Sequence, residues 1–338
     1  MKVVNFKLYI DDFEKVFFEN DECEYFHVHH MDEFKSESDN LITESRREPK
    51  AKELLMKLAN KGFYLYMTKE NKISSFVQHK LLNRLWNPIK EKQYYFENDL
   101  VYSIENPTIV NNVNLLVVFS SISDKMYQSS LHRYFTKNFQ NIGKYINPNT
   151  VILRIADLGG VTGSYYLDNK YIQDNESKIQ HLISKIALKY EARKVVLFGV
   201  SKGGSGASYH GLLGNYDFVA VDPILSDEYY LIKYKDLHFV DGISDISKLD
   251  KFKILLKSRK YSLVNNGSII TSENSPQFKY IDNLILQSSS KEFSIFVNND
   301  PSIQDHPDVA PKSLFLITTL INNSLNNVYV DKKIYKCI

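Results

Sequence analysis

Cysteine is scarce in this sequence, and neither sign of charge dominates. Only Cys23 and Cys337 occur among 338 residues, far apart, which excludes a disulfide framework and a zinc site built from thiolates. The formal net charge is +2, and basic and acidic residues are intermixed along the chain, so no nucleic-acid-binding surface is indicated. We expect a protein of a reducing compartment whose partners are small or uncharged molecules.

Long apolar segments are also missing. The longest apolar stretch lies near residues 314–321 and is far too short to cross a bilayer. Lys7, Asp11 and Asp12 interrupt the apolar residues at the amino terminus too early for the core of a signal peptide. The sequence predicts a cytoplasmic protein without a transmembrane segment, and association with the periphery of the inner membrane is the alternative.

Residues 194–204 carry a pattern typical of serine enzymes. The apolar, β-branched run at 195–200 is typical of a buried parallel strand, and it leads into Gly-x-Ser-x-Gly around Ser201. Gly199 and Gly203 remove the Cβ atoms that would clash in a sharp turn from strand to helix. The spacings required for a phosphate-binding loop or a dinucleotide fingerprint are not met. We predict a nucleophile elbow, and a tight turn without a catalytic role is the alternative.

From about residue 112 onward, predicted strands alternate with predicted helices. This order is typical of a doubly wound α/β sheet with helices on both faces. Ser201 then follows the fifth strand of an α/β-hydrolase-like, mostly parallel sheet, provided that residues before 112 supply the first strands. We assign 111–338 to an α/β-hydrolase-like catalytic domain and 1–110 to an N-terminal accessory region. The predicted strands are 115–119, 151–155, 195–200, 218–221, 268–271 and 293–297, and the predicted helices include 129–142, 276–287 and one that begins at Pro311.

A serine hydroxyl needs a base to accept its proton and a carboxylate to orient that base. In this fold the order along the chain is serine, acid, histidine. His306 lies in the predicted loop between the last strand and the last helix, where the fold places its base. His238 is the other histidine well downstream of Ser201, and the ring of His210, on the elbow helix, is expected to pack. We predict His306 as the base, with a solvated loop histidine as the alternative.

The acid has several candidates. Glu273 follows the predicted strand at 268–271, where the fold expects its acid, and it is the predicted triad member. Asp300, at the top of the last strand, is the alternative. Asp305 is disfavoured as the acid because it is adjacent to His306, and adjacent side chains in an extended loop point away from each other. Asp222 caps the strand after the elbow and is expected to be structural or to face the substrate.

Backbone N–H groups are expected to stabilise the negatively charged oxygen of the transition state. The N–H of Lys202, directly after the nucleophile, is the first predicted donor. The second comes from the loop after the strand at 115–119, from Ser120, Ser121 or Ile122, and we assign Ser121. Each such donor contributes about 3 kcal/mol of transition-state stabilisation.

Together these motifs resemble those of the XcbB/CpsF family of capsular polysaccharide biosynthesis proteins. The chain is also similar, more distantly, to α/β-hydrolase-type O-acetyltransferases of capsule clusters and of the accessory secretion system. The resemblance covers about residues 110–325 and implies that Ser201, Glu273 and His306 acetylate sugar hydroxyls. It rests on residues 117–121 (VVFSS), 133–135 (RYF), 154–157 (RIAD), 163–167 (GSYYL) and 199–204 (GVSKGG).

Three side chains near predicted strand ends are candidates for substrate binding. Arg133 is suited to a phosphate of coenzyme A or of a sugar-phosphate polymer, and Tyr165 and Tyr166 to stacking on sugar rings. A local ion pair and core packing are the alternatives. His27 and His29 share one face of an extended segment, but a single H-x-H pattern is more often packing than a ligand set, so no metal site is predicted.

The predicted function is therefore a serine-dependent acyltransferase. Ser201 takes an acetyl group from acetyl-CoA, and a hydroxyl of a capsular or other surface polysaccharide resolves the acyl-enzyme. No tightly bound cofactor is predicted, and capsule-assembly proteins are further expected partners. The alternatives are an esterase or deacylase with the same three residues and a non-catalytic scaffold in capsule assembly.

Overall fold

The computed structural model describes residues 2–20, 22–31, 39–69, 72–122, 131–236, 238–258, 266–286 and 292–337. Within them the chain forms one sheet of four strands and one of nine. The smaller sheet and its helices are built from the first 78 residues. Their elements are β1 (Val3–Lys7), α1 (Phe13–Glu19), β2 (Tyr25–His29), α2 (Leu41–Glu44), α3 (Pro49–Asn60), β3 (Phe63–Lys69) and β4 (Ile73–Gln78).

The smaller sheet has the order β1-β2-β4-β3, with β1 parallel to β2 and the other neighbours antiparallel. Helix α3 places Ala51, Leu54, Leu55 and Leu58 at three- and four-residue steps, so they form one apolar face. That face is buried in a core with the inward side chains of the sheet. The N-terminal region therefore supplies most of a second hydrophobic core.

The larger sheet begins before residue 110. Its order is β13-β12-β11-β10-β9-β7-β8-β6-β5, all parallel except for the pairs β5/β6 and β6/β8. Among the described helices none is long and apolar enough to cross a membrane. The elements are α4 (Leu82–Leu85), α5 (Asn87–Lys90), β5 (Tyr95–Glu97), β6 (Leu100–Glu105), β7 (Asn114–Phe119), α6 (Leu131–Tyr134), β8 (Thr150–Ile155), α7 (Asn175–Lys189), β9 (Val195–Val200), α8 (Lys202–Gly214), β10 (Asp217–Val221), α9 (Glu228–Tyr234), α10 (Lys248–Ser258), β11 (Gly267–Thr271), α11 (Phe278–Ile281), β12 (Phe293–Asn298), α12 (His306–Lys312), α13 (Leu314–Leu325) and β13 (Ile334–Cys337).

The central strands are apolar on both faces because helices cover both sides of the sheet. In β7, Leu115, Val117 and Phe119 belong to a core with α7, α8 and α10. The alternating residues Leu116 and Val118 belong to a second core with α12 and α13. Successive strand residues point to opposite faces, so a continuous apolar run is what a doubly covered strand requires.

The structure confirms the predicted α/β-hydrolase-like class and the six predicted strands. Strand β9 is fifth in chain order in the larger sheet, and β5 and β6 supply the first two strands. A boundary at residue 110 therefore separates two strands from the sheet to which they belong. Of the helix predicted at 129–142, residues 131–134 are α-helical and 142–144 form a 3₁₀ turn, while 129 and 130 lie outside the described residues.

The N-terminal region packs on the loop that follows β8 and on the loop that follows α9. Val161 and Phe239, from those loops, are buried in the core of the smaller sheet. The Gly159 N–H donates to the Tyr64 hydroxyl over 3.0 Å. Lys52 on α3 pairs with Asp236 at 3.2 Å. The N-terminal region thus contacts two loops that connect elements of the larger sheet.

Candidate active site

Ser201 lies in the sharp turn between β9 and α8. Its backbone has φ +57° and ψ −119°, a conformation that a residue other than glycine rarely adopts. A Cβ atom on Gly199 would lie 2.0 Å from the Gly203 carbonyl oxygen, and one on Gly203 would lie 2.3 Å from the Phe119 carbonyl oxygen. Both glycines are therefore required for the turn to close. The turn leaves Ser201 half-buried at the carboxyl edge of the sheet.

The Ser201 hydroxyl contacts His306, and His306 contacts a carboxylate. Ser201 Oγ lies 2.7 Å from His306 Nε2, and His306 Nδ1 lies 2.6 Å from Asp222 Oδ2. Because a carboxylate only accepts hydrogen bonds, Nδ1 carries the proton and Nε2 is left to accept from the serine hydroxyl. This is the arrangement of a Ser–His–Asp triad.

The prediction of Glu273 as the acid is wrong in this structure. Glu273 is exposed and pairs with Lys336 at 3.6 Å. The alternative, Asp300, accepts from the backbone N–H and hydroxyl of Ser302. The carboxylate that reaches His306 belongs to Asp222, at the end of β10, the strand next to the elbow strand.

Asp222 is held rigidly for this contact. It has a positive φ of +43°, and its N–H donates to the Ile270 carbonyl over 2.7 Å. Thr271 donates to one carboxylate oxygen over 2.7 Å, and Ser275 donates to the other over 2.5 Å. The side chain is almost fully buried, at 1 % exposure. The aspartate thus has a single fixed orientation, with one oxygen facing the imidazole.

His306 is positioned by a helix rather than by a loop. It is the first residue of α12, where the predicted structure was a loop. Asp305 caps the helix and accepts from the His306 N–H over 2.7 Å, and Asp308 bonds back to the Asp305 N–H over 3.2 Å. The capping box fixes the backbone that carries the imidazole.

One of the two predicted oxyanion donors is engaged elsewhere. The Lys202 N–H belongs to the first turn of α8, where the helix leaves N–H groups without an intrahelical partner. The Ser121 N–H, by contrast, donates to Asn138 Oδ1 over 2.8 Å, and the Ser121 hydroxyl donates to the same oxygen. In this conformation Lys202 is the available donor, and Ser121 becomes one only if Asn138 moves away.

The side chain of Lys202 forms a second charged pair beneath the elbow. Its ammonium lies 2.9 Å from Asp157 Oδ2, and both side chains are fully buried. It also donates to the Thr162 carbonyl over 3.0 Å. Burial lowers the pKa of Lys202, and the Asp157 charge opposes that shift. Sequence reasoning missed this pair, because neither residue carries a recognisable spacing signal.

Asp157 also organises the loop after β8. Its carboxylate accepts the backbone N–H groups of Ser164, Tyr165 and Tyr166 at 2.9 to 3.1 Å. Both tyrosines have positive φ, so three adjacent N–H groups turn toward one carboxylate. A Cβ atom on Gly163 would lie 2.2 Å from the same carboxylate. The loop is wrapped around the buried pair.

The predicted substrate-binding residues are mostly inside the protein. Tyr166 is fully buried and donates to the Ser120 carbonyl over 2.7 Å, so its prediction as a sugar-stacking residue is wrong. Arg133 is 5 % exposed on α6, and burial lowers the pKa of its guanidinium. Tyr165 is 3 % exposed, and its hydroxyl contacts His238 Nδ1 at 3.1 Å. Neither offers an open ring or charge to solvent.

Two further histidines have local partners. His27 Nδ1 contacts Ser75 Oγ at 2.8 Å, and His29 Nε2 contacts Asn5 Oδ1 at 3.0 Å. In the part of the chain that the structure describes, no group of three or more histidine, cysteine or acidic side chains is arranged to hold a metal. His210, as expected from its helix, packs inside and contacts the Tyr166 carbonyl at 3.0 Å.

No protein-family model and no curated protein sequence matches this chain. Solved structures with a similar chain path include the capsule O-acetyltransferase of Neisseria meningitidis serogroup A, at 17 % identity and a TM-score of 0.49, covering 68 % of this chain and 94 % of that one. The serine hydrolase FphF of Staphylococcus aureus has 14 % identity and a TM-score of 0.48, covering 68 % and 96 %. An S-formylglutathione hydrolase from Agrobacterium tumefaciens has 13 % identity and a TM-score of 0.43, covering 70 % and 92 %.

At this level of likeness none of these proteins assigns a function to the chain. The resemblance to the XcbB/CpsF family stays a prediction, since no family model matches. The geometry of Ser201, His306 and Asp222 is what indicates a function.

Proposed function

We propose that the protein is a serine acyltransferase that acetylates a hydroxyl of a capsular or other surface polysaccharide, with acetyl-CoA as the donor. The observation that carries the proposal is the unbroken hydrogen-bonded series Ser201, His306, Asp222 at the end of an elbow. Acetyl transfer between a thioester and an alcohol is chemistry that such a series performs. The polysaccharide follows from the resemblance to capsule biosynthesis proteins.

The first half-reaction acylates the enzyme. Ser201 Oγ attacks the thioester carbonyl carbon as its proton passes to His306 Nε2. The Lys202 N–H donates to the oxygen that becomes negative, and Asp222 stabilises the imidazolium. The C–S bond breaks, and the thiol of coenzyme A leaves with the proton from His306. Acetyl-Ser201 remains.

The second half-reaction regenerates the serine. A sugar hydroxyl gives its proton to His306 Nε2 and attacks the acetyl carbonyl carbon. The bond from that carbon to Ser201 Oγ breaks, and Oγ takes the proton back. Water in place of the sugar gives ester hydrolysis, so esterase or deacylase activity is the second candidate. Exclusion of water from the acyl-enzyme decides between them.

The test is thiol release from acetyl-CoA by wild type and by Ser201→Ala, with and without polysaccharide. Loss of a triad serine lowers turnover by about four to six orders of magnitude. Release that requires both Ser201 and the polysaccharide supports a transferase, and Ser201-dependent release without acceptor supports a hydrolase. Equal release by wild type and Ser201→Ala contradicts both. A protein that releases no thiol and hydrolyses no activated acetyl ester contradicts catalysis and leaves the scaffold.

A further inference from the structure

A cavity of about 420 Å³ is lined by none of the three triad residues and is not used by the reaction steps above. Its volume falls in the range of small-molecule sites, about 300–1,000 Å³. It lies between helix α9, the loop that leads into α10, and the loop after β8. Its lining includes Tyr165, whose main chain is held by the Asp157 carboxylate at 2.9 Å.

Tyr165 connects the cavity to the elbow. The Asp157 that binds its N–H pairs with Lys202, the residue directly after Ser201. On the other side, the Tyr165 hydroxyl contacts His238 Nδ1, and the His238 ring stacks on Tyr230 with centroids 4.0 Å apart. Tyr165 therefore links the lining of the cavity to the residue that follows the nucleophile.

The tautomer of His238 follows from its neighbour. Among the described residues the Tyr165 hydroxyl has no acceptor other than His238 Nδ1, so it donates there. Burial and the positive charges of Lys248 and Lys202 lower the pKa of His238 to about 3, so the ring is neutral. A neutral ring that accepts at Nδ1 carries its proton on Nε2. The N–H of His238 thus lies on the ring nitrogen that does not contact Tyr165.

The cavity is rich in hydrogen-bond acceptors. Four carboxylates line it, against one ammonium, Lys248, which pairs with Asp227 at 2.5 Å and lies 3.1 Å above the Tyr165 ring. Asp168 lies 3.7 Å from Lys251, and Glu228 lies 3.8 Å from Lys279. Each carboxylate still has lone pairs that can accept hydrogen bonds from sugar hydroxyls. The four are Asp168, Asp227, Glu228 and Asp241.

Apolar side chains form much of the remaining lining, among them Leu231 and Ile232 on α9 and Ile243 in the following loop. Apolar surface with a few fixed polar groups suits a ring that has C–H faces and hydroxyl edges. The three lysines at the cavity are each paired with a carboxylate, so the phosphates of coenzyme A meet no unpaired cation among these groups.

We propose that this cavity is the acceptor subsite and that it binds an uncharged, hydroxyl-rich sugar unit of the glycan next to the unit that is acetylated. The proposal rests on the proposed acyltransferase function. The carboxylates accept the sugar hydroxyls, and the apolar side chains cover the ring face. The donor thioester approaches Ser201 from outside this cavity.

Binding is tested on Ser201→Ala by saturation-transfer NMR. The probes are methyl glycosides of neutral hexoses and N-acetylhexosamines, and the 6-phosphates of the same sugars. We expect at least one neutral glycoside to bind, and its phosphate to bind at least about tenfold more weakly. Equal or tighter binding of the phosphates, or no binding of any neutral glycoside, overturns the proposal.

A filled cavity tests its location. Leu231→Trp puts a larger side chain at a half-exposed position of the lining, and Leu188→Trp, on the exposed face of α7, is the matched control. In the Ser201→Ala background we expect Leu231→Trp to weaken glycoside binding at least about tenfold and Leu188→Trp to leave it within about twofold. Equal affinities in the two variants, both with wild-type melting temperatures, overturn the proposal.

A second readout uses the active enzyme and separates the two proposals. With p-nitrophenyl acetate as donor, the acetyl group partitions between water and the neutral glycoside. Leu231→Trp should lower the ratio of transfer to hydrolysis at least about tenfold, whereas Leu188→Trp should not change it. If Ser201→Ala leaves hydrolysis intact, the proposed function fails. If Ser201→Ala abolishes hydrolysis but Leu231→Trp does not change the ratio, only the subsite fails.

Discussion

Two carboxylate pairs flank Ser201, and their surroundings differ. Asp222 and His306 meet at the cleft, where the imidazole is 12 % exposed and touches the serine hydroxyl. Asp157 and Lys202 are sealed beneath the elbow with no exposure at all. The first pair places an imidazole within reach of the serine proton, and the second joins an ammonium and three backbone N–H groups to one carboxylate.

The role of a carboxylate near a nucleophile therefore follows from its contacts rather than from its distance. Asp222 is bonded by two neutral hydroxyls and an imidazole, so it is suited to stabilise a transient positive charge. Asp157 is neutralised by an ammonium and three N–H groups, so it is suited to fix a loop.

The largest effect is expected from Asp222→Asn. The amide would donate to His306 Nδ1, which puts the imidazole proton on Nε2 and prevents it from accepting the Ser201 proton. The same change in the triad of a chymotrypsin-type protease lowers kcat by about 10⁴-fold, and we expect a similar loss. Turnover of p-nitrophenyl acetate measures it. A loss below about tenfold, in a folded protein, would show that another group orients His306.

The next effect is on stability and comes from Asp157→Asn. It leaves the Lys202 ammonium buried without its counter-charge, which costs about 3–5 kcal/mol of unfolding free energy. Urea titration measures the loss. Adding Lys202→Met removes the unpaired buried charge, so the double variant should recover part of the lost free energy of unfolding. A single variant as stable as wild type would contradict a structural role for the pair.

Acid should destabilise the fold through buried neutral histidines. Burial lowers the pKa of His210 and of His79 to about 4, and that of His238 to about 3. The unfolded chain binds these protons near pH 6.5, so their contribution is complete above that pH and is lost as the pH falls toward 4. Each histidine contributes a slope of up to about 1.4 kcal/mol per pH unit in that window.

The measurement is the free energy of unfolding between about pH 7 and pH 4, for wild type and His210→Gln. Carboxylates add to the acid loss in both proteins, so the difference in slope isolates His210. The variant should show the shallower dependence. Parallel curves would mean that His210 is protonated, or already exposed, in the folded state.

The smallest effect is expected at the exposed pair, Glu273 and Lys336. Their 3.6 Å contact is solvated, and such pairs contribute about 0–1 kcal/mol. Glu273→Gln should therefore leave turnover within about twofold of wild type. A loss of turnover comparable to that of Asp222→Asn would restore the acid predicted from the sequence.

Two members of the triad could be predicted from the sequence, and the third could not. Ser201 was predictable because its elbow needs Gly199 and Gly203 at fixed positions, and His306 because it is the histidine near the last strand. Asp222 was not predictable in the same way. The parallel strands β10 and β11 end at the same edge of the sheet, and only their lateral order decides whether Asp222 or Glu273 is closer to His306. Spacing along the chain carries no information about that order.

Side-chain networks were also beyond sequence reasoning. The Asn138 oxygen that occupies the Ser121 N–H lies 17 residues away, in a segment where a helix was expected. Asp157 and Lys202 come from different strand ends and meet only after the sheet has formed. The six central strands, by contrast, could be predicted from continuous apolar runs. A strand that is buried on both faces is apolar at successive positions, whereas a half-exposed strand alternates apolar and polar residues.

The central claim is that Ser201 becomes acylated, and intact mass spectrometry with peptide mapping after brief exposure to p-nitrophenyl acetate at low pH tests it most directly. We predict one acetyl group on the peptide that contains Ser201 in wild type, and none on that peptide in Ser201→Ala. Asp222→Asn should acquire the group far more slowly. Turnover by wild type with the acetyl group on another residue, or unchanged labelling and turnover in Ser201→Ala, would contradict the claim.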